Sequence, residues 1–168
     1  RFAAAAALGQ IEGEGAVGGL IRALADADPS IQQEAAGHLV RRGRTPFSAV
    51  LHGPRAPVAK GDAQPVEWRV TNLSPAEVEL VLEEPPAKRL KVSGPGGAVA
   101  LPAAESGGRR KVRLGPGEYV GGSFADLTLR FAAPGRYLVG WAAALSWNDK
   151  PFTIPAADGH AIAAYRWR

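Results

Sequence analysis

The 168-residue chain contains no cysteine and no methionine. Without cysteine there is no disulfide framework and no thiolate zinc site, and the compartment stays open, because a cysteine-free chain suits any redox environment. Methionine is absent even at position 1, where Arg1 stands, so the chain is predicted to begin after processing or truncation. Aromatic residues make up only 7%, which makes each large ring a candidate for the core. No stretch approaches the roughly 18 uncharged apolar residues that a membrane helix requires. What remains is an ordinary globular composition, 46% apolar and 21% charged, long enough to bury a full core.

Charge is unevenly spread. Residues 1–84 carry 8 Lys+Arg against 11 Asp+Glu, whereas residues 85–168 carry 12 against 5. A swing from −3 to +7 between halves points either to a surface for an acidic partner or to a solvated basic face.

The N-terminal quarter repeats itself. With Leu8 placed over Leu39, Ala4 falls on Ala35 and Ala5 on Ala36, an offset of 31 residues, in the range of helical solenoid repeats. Between the copies, Val17, Leu20, Ile21 and Leu24 follow the i, i+3, i+4, i+7 spacing of an amphipathic helix. Asp28 is predicted to cap the next helix and Pro29 to begin it, with Ile31, Ala35 and Leu39 turned inward. The stretches "AAAALGQIE", "AVGGLIRALAD" and "DPSIQQEAAGHLVRRG" resemble the short bacterial HEAT-like repeat also found in phycobilin lyases. That resemblance covers about residues 1–43 and implies stacked helical hairpins. Gly18-Gly19 departs from it and predicts a short or bent helix there, at a cost of about 1 kcal/mol per glycine. In this register the chain opens inside a second helix, as the tail of a longer array that the remaining residues cap.

After Gly43 the pattern changes to period-2 runs separated by Pro and Gly every eight to twelve residues, as in an all-β sandwich. Val66, Trp68 and Val70 alternate with Glu67, Arg69 and Thr71. Val78, Leu80 and Leu82 repeat the device, followed by Leu127, Leu129 and Phe131, then Tyr137, Val139 and Trp141. About eight strands are predicted, including 47–51 and a closing strand in "HAIAAYRWR". The stretch 146–159 fits no tight turn. "VTNLSPAEVEL", "VRLGPGE" and "FAAPGRYLV" resemble bacterial immunoglobulin-like domains, including the family of the intracellular proteinase inhibitor, over about residues 47–142. That likeness implies a Tyr137 hydroxyl that ties down a corner. The expected architecture is mainly β, with a HEAT-like helical end at 1–43 joined to an immunoglobulin-like antiparallel sandwich at 44–168.

Catalytic signals are sparse. His38, His52 and His160 are scattered, without HxH or HExxH spacing, and are predicted to be surface residues; neither a metal nor a cofactor is expected. "GPGG" and "ESGG" do not lead into a phosphate-binding helix. Asp26 and Asp28 fall at a helix junction and suit capping. Asn72-Leu73-Ser74 matches a glycosylation sequon, but Pro follows, which predicts a turn. No nucleophile, base and orienting group are recognisable together, so no enzyme activity is expected.

One constellation is basic. "AKRLKV" and "RRKVRL" interleave cations with apolar residues, so that Leu90, Val92, Val112 and Leu114 face inward and Arg89, Lys91, Lys111 and Arg113 outward. Pairing of the two strands through the 93–108 segment would set like charges side by side. The candidate anion-binding set is therefore Lys88, Arg89, Lys91, Arg109, Arg110, Lys111 and Arg113. The competing explanation is an edge strand protected by cations against sheet-to-sheet aggregation. The leading functional expectation is a non-catalytic protein-interaction or scaffold part with protein partners. The alternatives are a proteinase inhibitor acting through a protruding loop at 93–108 or 146–159, and binding of nucleic acid or another anionic polymer through the basic strands.

Overall fold

The computed structural model describes residues 1–24, 26–54, 58–59, 63–64, 66–84, 86–101, 107–124, 129–130, 133–156 and 160–165. Three helices come first: α1 (Phe2–Gln10), α2 (Glu14–Ala23) and α3 (Pro29–Arg41), each packed on the other two. Leu20, Leu24, Ile31, Ala35 and Leu39 are buried, as the helical periodicity predicts. Asp28 caps α3 by accepting from the Ser30 hydroxyl at 2.7 Å and the Ser30 backbone N–H at 2.9 Å. Those two bonds, the hydroxyl first, hold its carboxyl below the usual range. Gly18 and Gly19 do not shorten α2, which runs unbroken through both.

Small residues set how closely the helices approach. A methyl group at Gly9 would lie 1.9 Å from the His38 ring, so α3 seats its imidazole on α1 only because position 9 has no side chain. His38 is thus buried, not a surface residue as predicted, because the bare Gly9 backbone leaves room for a ring. The Arg41 guanidinium lies 2.9 Å from Nδ1, and Nε2 lies 2.8 Å from the Glu34 carboxylate. One turn on, the Arg42 guanidinium donates to the carbonyls of Leu8 and Gly9, both at 3.0 Å, and of Ile11 at 2.5 Å. It supplies donors to carbonyls at the C-terminus of α1, where a cation is also favoured by the helix dipole.

The rest of the chain is β structure. In order, the strands are β1 (Phe47–His52), β2 (Val58–Ala59), β3 (Ala63–Gln64), β4 (Glu67–Asn72), β5 (Val78–Glu83), β6 (Lys91–Gly94) and β7 (Gly97–Ala98). Then follow β8 (Arg109–Leu114), β9 (Tyr119–Ser123), β10 (Leu129–Arg130), β11 (Gly135–Gly140), β12 (Ala142–Trp147), β13 (Lys150–Pro155) and β14 (His160–Tyr165). One sheet has the order β1-β4-β9, and β10 pairs with β3 in a separate two-stranded sheet. A second has the order β13-β12-β5-β8 and a third β2-β14-β11-β6-β7. Except for β2 beside β14, the ladders are antiparallel.

The second and third sheets share lanes. Only Trp141 separates β11 from β12, a 3-10 turn at Pro86–Arg89 lies between β5 and β6, and β13 leads on to β14. Burial alternates without a slip through Tyr137, Val139, Trp141, Ala143, Leu145 and Trp147. Consecutive strands separated by Trp141 alone therefore feed both sheets. More strands occur than the eight expected, partly because such lanes are interrupted and partly because short hairpins such as β6–β7 and β12–β13 add strands. The side chains of Leu127, Leu129 and Phe131 lie outside the described residues.

The sheets face each other across the aromatic residues. Trp68 and Trp141 are 5 and 6% exposed, with ring centroids 5.5 Å apart, and Phe47 meets Trp147 edge-on at 6.0 Å. The apolar cluster continues from these rings into Leu20, Leu24, Ala35, Ala36 and Leu39 of the helices. Two predicted turns hold. The Tyr137 hydroxyl donates to the Ala133 carbonyl at 2.9 Å and accepts from its N–H at 3.1 Å, tying down the corner. Asn72 is fully buried: its amide donates to the carbonyls of Ala76, Leu114 and Gly115 at 2.8–3.0 Å and accepts from the Ser74 N–H at 2.9 Å. The sequon asparagine is thus consumed inside the fold.

The segment 146–159 does contain a tight turn. Asn148 and Asp149 take φ of 49° and 58° between the paired Trp147 and Lys150, a two-residue hairpin of the kind that asparagine and aspartate tolerate. It is no protruding loop as far as Ala156. Likewise 93–98 is a short hairpin between β6 and β7, while 102–106 lie outside the described residues.

Two substitution sets test this packing. Gly9→Ala should displace His38 and lower stability by about 1–3 kcal/mol, whereas Gly18→Ala, whose methyl would meet nothing closer than 3.8 Å, should raise it by about 0.5–1 kcal/mol; thermal melts of the pair check both signs. Asn72→Leu, which strands buried carbonyls, should cost about 2–4 kcal/mol in urea unfolding. An Asn72→Leu melt matching the parent would show that the amide network is not needed.

Candidate functional site

The basic residues do not assemble as the sequence suggests. Lys88 and Arg89 lie in the 3-10 turn, Lys91 in β6, and Arg109, Arg110, Lys111 and Arg113 in β8. β6 pairs with β11 and β7, and β8 pairs with β5, so the two basic strands are not partners. The correction has an electrostatic reason. β5 supplies carboxylates where β6 would have supplied ammonium groups, and the register sets Glu79 opposite Arg113 and Glu83 opposite Arg109. Opposite charges across a ladder stabilise it, whereas like charges would oppose it.

The pairs are close. Glu79 lies 2.6 Å from Lys111 and 3.1 Å from Arg113; Glu84 lies 2.7 Å from Arg110, and Glu83 3.4 Å from Arg89. Hydrogen bonds from Lys111 and then Arg113 hold the Glu79 carboxyl below its ordinary value. Each partner is solvent-exposed, so these bridges fix register more than they add stability. Leu90, Val92 and Leu114 are buried and Val112 half-buried, while Arg89, Lys91, Lys111 and Arg113 are exposed, as the alternation predicts. Lys88, Lys91 and Arg109 have no carboxylate partner among the described residues.

β8 is an edge strand of its sheet. Its four cations stand along a ladder that would otherwise be open, which is how natural proteins discourage edge-to-edge association. The opposite edge, β13, carries Pro151 and Pro155, which lack the N–H that a further strand would need. A groove of about 800 Å³ runs between α3, at Gln32, Gln33 and Gly37, and the sheet residues Val81, Lys111 and Ser146.

No acid–base constellation was found among the described side chains. His52 is exposed on β1 and His38 is enclosed by the helices, while the His160 side chain lies outside the described residues. Among the described residues no cluster of His, Asp and Glu could hold a metal ion. Asp26 accepts from the Asp28 N–H at 3.0 Å and pairs with Arg1 at 3.3 Å, the structural role its position suggests. No described helix is long and apolar enough to cross a membrane.

No protein-family model matches the chain, and no curated protein matches it. Among solved structures it is similar to the CARDB domain of a Pyrococcus furiosus protein at 16% identity, covering 71% of this chain and 87% of that one, with a TM-score of 0.36. It is also similar to the C-terminal domain of wzt, at 9% identity, 75% and 77% coverage and a TM-score of 0.43. A segment of Escherichia coli alpha-2-macroglobulin matches at 16% identity with a TM-score of 0.45, covering 72% of this chain and 17% of that one. These similarities concern the immunoglobulin-like fold alone.

The Glu79 pairing gives a test in pH. A carboxyl whose folded value is depressed contributes stability that is present above its unfolded value and lost as pH falls through the folded one. In carbon-detected NMR, Glu79 should therefore titrate below a free glutamate. In the Lys111→Ala, Arg113→Ala double variant it should move back up, and a midpoint unmoved by that change would show that the pairs do not persist in solution.

Proposed function

We propose that this chain is a non-catalytic protein-interaction module, in which the helices are the end of a HEAT-like array and the sandwich is its brace. One observation carries the reading: Ala3, Ala7 and Ile11 lie at i, i+4 and i+8 along α1 into its C-cap, and all three are exposed. Ile11 is 55% exposed, and α1 has no charged side chain from Phe2 to Gln10. Exposed large apolar groups on a helix without charges mark a contact surface more readily than scattered ones do.

The 31-residue register says what such a face receives. His38 and Arg42 are the α3 residues that seat on α1, through Gly9 and the carbonyls of Leu8, Gly9 and Ile11. The positions 31 residues earlier are Ala7 and Ile11, and both are exposed. A helix that lies on Ala7 and Ile11 would do for α1 what α1 does for α3. In repeat proteins each unit contacts its neighbours through such faces. The face offered here is apolar.

Site-specific photo-cross-linking checks this. A benzoylphenylalanine placed at Ala7 should capture a defined protein partner in the native cell extract, and Ile11→Glu should abolish capture without lowering the melting temperature. The same probe at Thr153, exposed on β13, should capture nothing. Capture at Lys91 but not at Ala7, lost on raising salt, would instead support an anionic partner for the basic residues; labelling at none of these sites would sink the interaction reading.

A further inference from the structure

Among the described residues the sheet edges are defended unequally, and β9 is an edge strand with neither charge nor proline. β8 carries four cations, β13 two prolines, and β7 is two residues long. β1 is held by a bridge from Ala49 to Ala156. β9, "YVGGS", has no charge, no proline and no partner beyond β4 among the described residues. Edges without such devices are where a further strand adds.

The hydrogen-bond pattern fixes which groups are offered. Phe124 N–H donates to Val66 and Asn72 N–H to Glu118, so residues 118, 120, 122 and 124 turn their backbone groups toward β4. Antiparallel ladders alternate, so Tyr119, Gly121 and Ser123 point theirs away from it. All three are exposed, with Tyr119 at 55%. They form a row of three donor–acceptor residues on the open side, each two residues from the next.

The side chains add charge selectivity. Arg69 is paired with Gly121 in the register. Its guanidinium stacks on Tyr119 at 4.6 Å, and Glu67 lies 3.8 Å from it. Gly121 has no side chain, since a methyl there would lie 2.5 Å from the Trp68 carbonyl, and so places none between Arg69 and a residue of an added strand opposite it. Two strand spacings are about 10 Å, which an arginine and a glutamate together can span. A second copy pairing β9 to β9 about Gly121 would satisfy the backbone, but it would set glycine opposite glycine and leave Arg69 without an added carboxylate.

We propose that β9 is a strand-addition site for an extended peptide segment carrying a carboxylate opposite Gly121. The backbone of Tyr119, Gly121 and Ser123 supplies affinity, and Arg69 selects the acid. The site is separate from the α1 face and does not depend on that surface being used.

The test uses the full 168-residue chain and three fluorescein-labelled octapeptides of alternating threonine and valine, read by anisotropy at low salt. One has glutamate at a central position, one has lysine there, and the third, the glutamate peptide N-methylated at alternate amides, is made in both registers. The glutamate peptide should bind about tenfold more tightly than the lysine peptide, and N-methylation in one of the two registers should abolish binding. Arg69→Ala should erase the glutamate preference. Ser123→Pro, which removes an outward N–H and no bond to β4, should weaken both peptides with the melting temperature unchanged. Equal affinity for glutamate and lysine, binding that survives N-methylation in both registers, or no measurable binding would overturn the proposal. So would a concentration-dependent dimer, seen by sedimentation, that Ser123→Pro dissociates and the glutamate peptide does not.

Discussion

The fold depends on one buried amide. Asn72 ends β4 in the first sheet, yet its side chain reaches the Leu114 and Gly115 carbonyls where β8 of the second sheet turns toward β9. The same residue closes the Asn-Leu-Ser-Pro turn through Ala76 and Ser74, and its backbone bonds to Gly117 and Glu118. Four segments that belong to different sheets and turns meet on a group with no exposure to water. In such a place an unmade hydrogen bond is expensive, so the geometry of the two sheets is tied to that residue's position.

Charge plays a complementary part. The excess of acid in the first half of the chain and of base in the second suggests an external partner when read as a total. In the fold a part of it is an internal match. Glu79, Glu83 and Glu84 come from the acidic half, and Arg89, Arg110, Lys111 and Arg113 from the basic half, and they meet along β5, β8 and the adjoining turn. The asymmetry helps to set which strands are neighbours and in which register, while each exposed pair contributes little to stability.

What could be read from the residues followed the reach of each signal. Local periodicity placed the helices, the Asp28 cap, the inward faces of β4, β5 and β11, and the Tyr137 corner, because each depends on neighbours a few positions away. Strand partnership did not show. The basic strands were paired with each other because they are adjacent in sequence, whereas β8 chose β5 across a long separation. His38 looked like a surface residue because the glycine that accommodates it lies 29 positions away on another helix. The Asn148-Asp149 turn was missed because neither residue is glycine, though both tolerate positive φ. Of the site, the outward direction of the cations was legible; their carboxylate partners were not. The open β9 edge left no mark in the sequence beyond an uncharged, proline-free run.

The distribution of rings has an optical consequence. The helical segment 1–43 contains Phe2 and neither tryptophan nor tyrosine, while the four tryptophans and three tyrosines all follow it. The tryptophan and tyrosine signals in near-ultraviolet absorbance and fluorescence therefore originate in the sandwich. Two of its indoles are tilted by 47° at 5.5 Å, close enough for their excited states to couple and give a paired circular-dichroism band. The helices contribute no tryptophan or tyrosine signal and are followed through the amide signal. Heating or denaturant can thus be followed in the two parts of one unlabelled chain at once, and their coming apart separately or together would register as two curves or one.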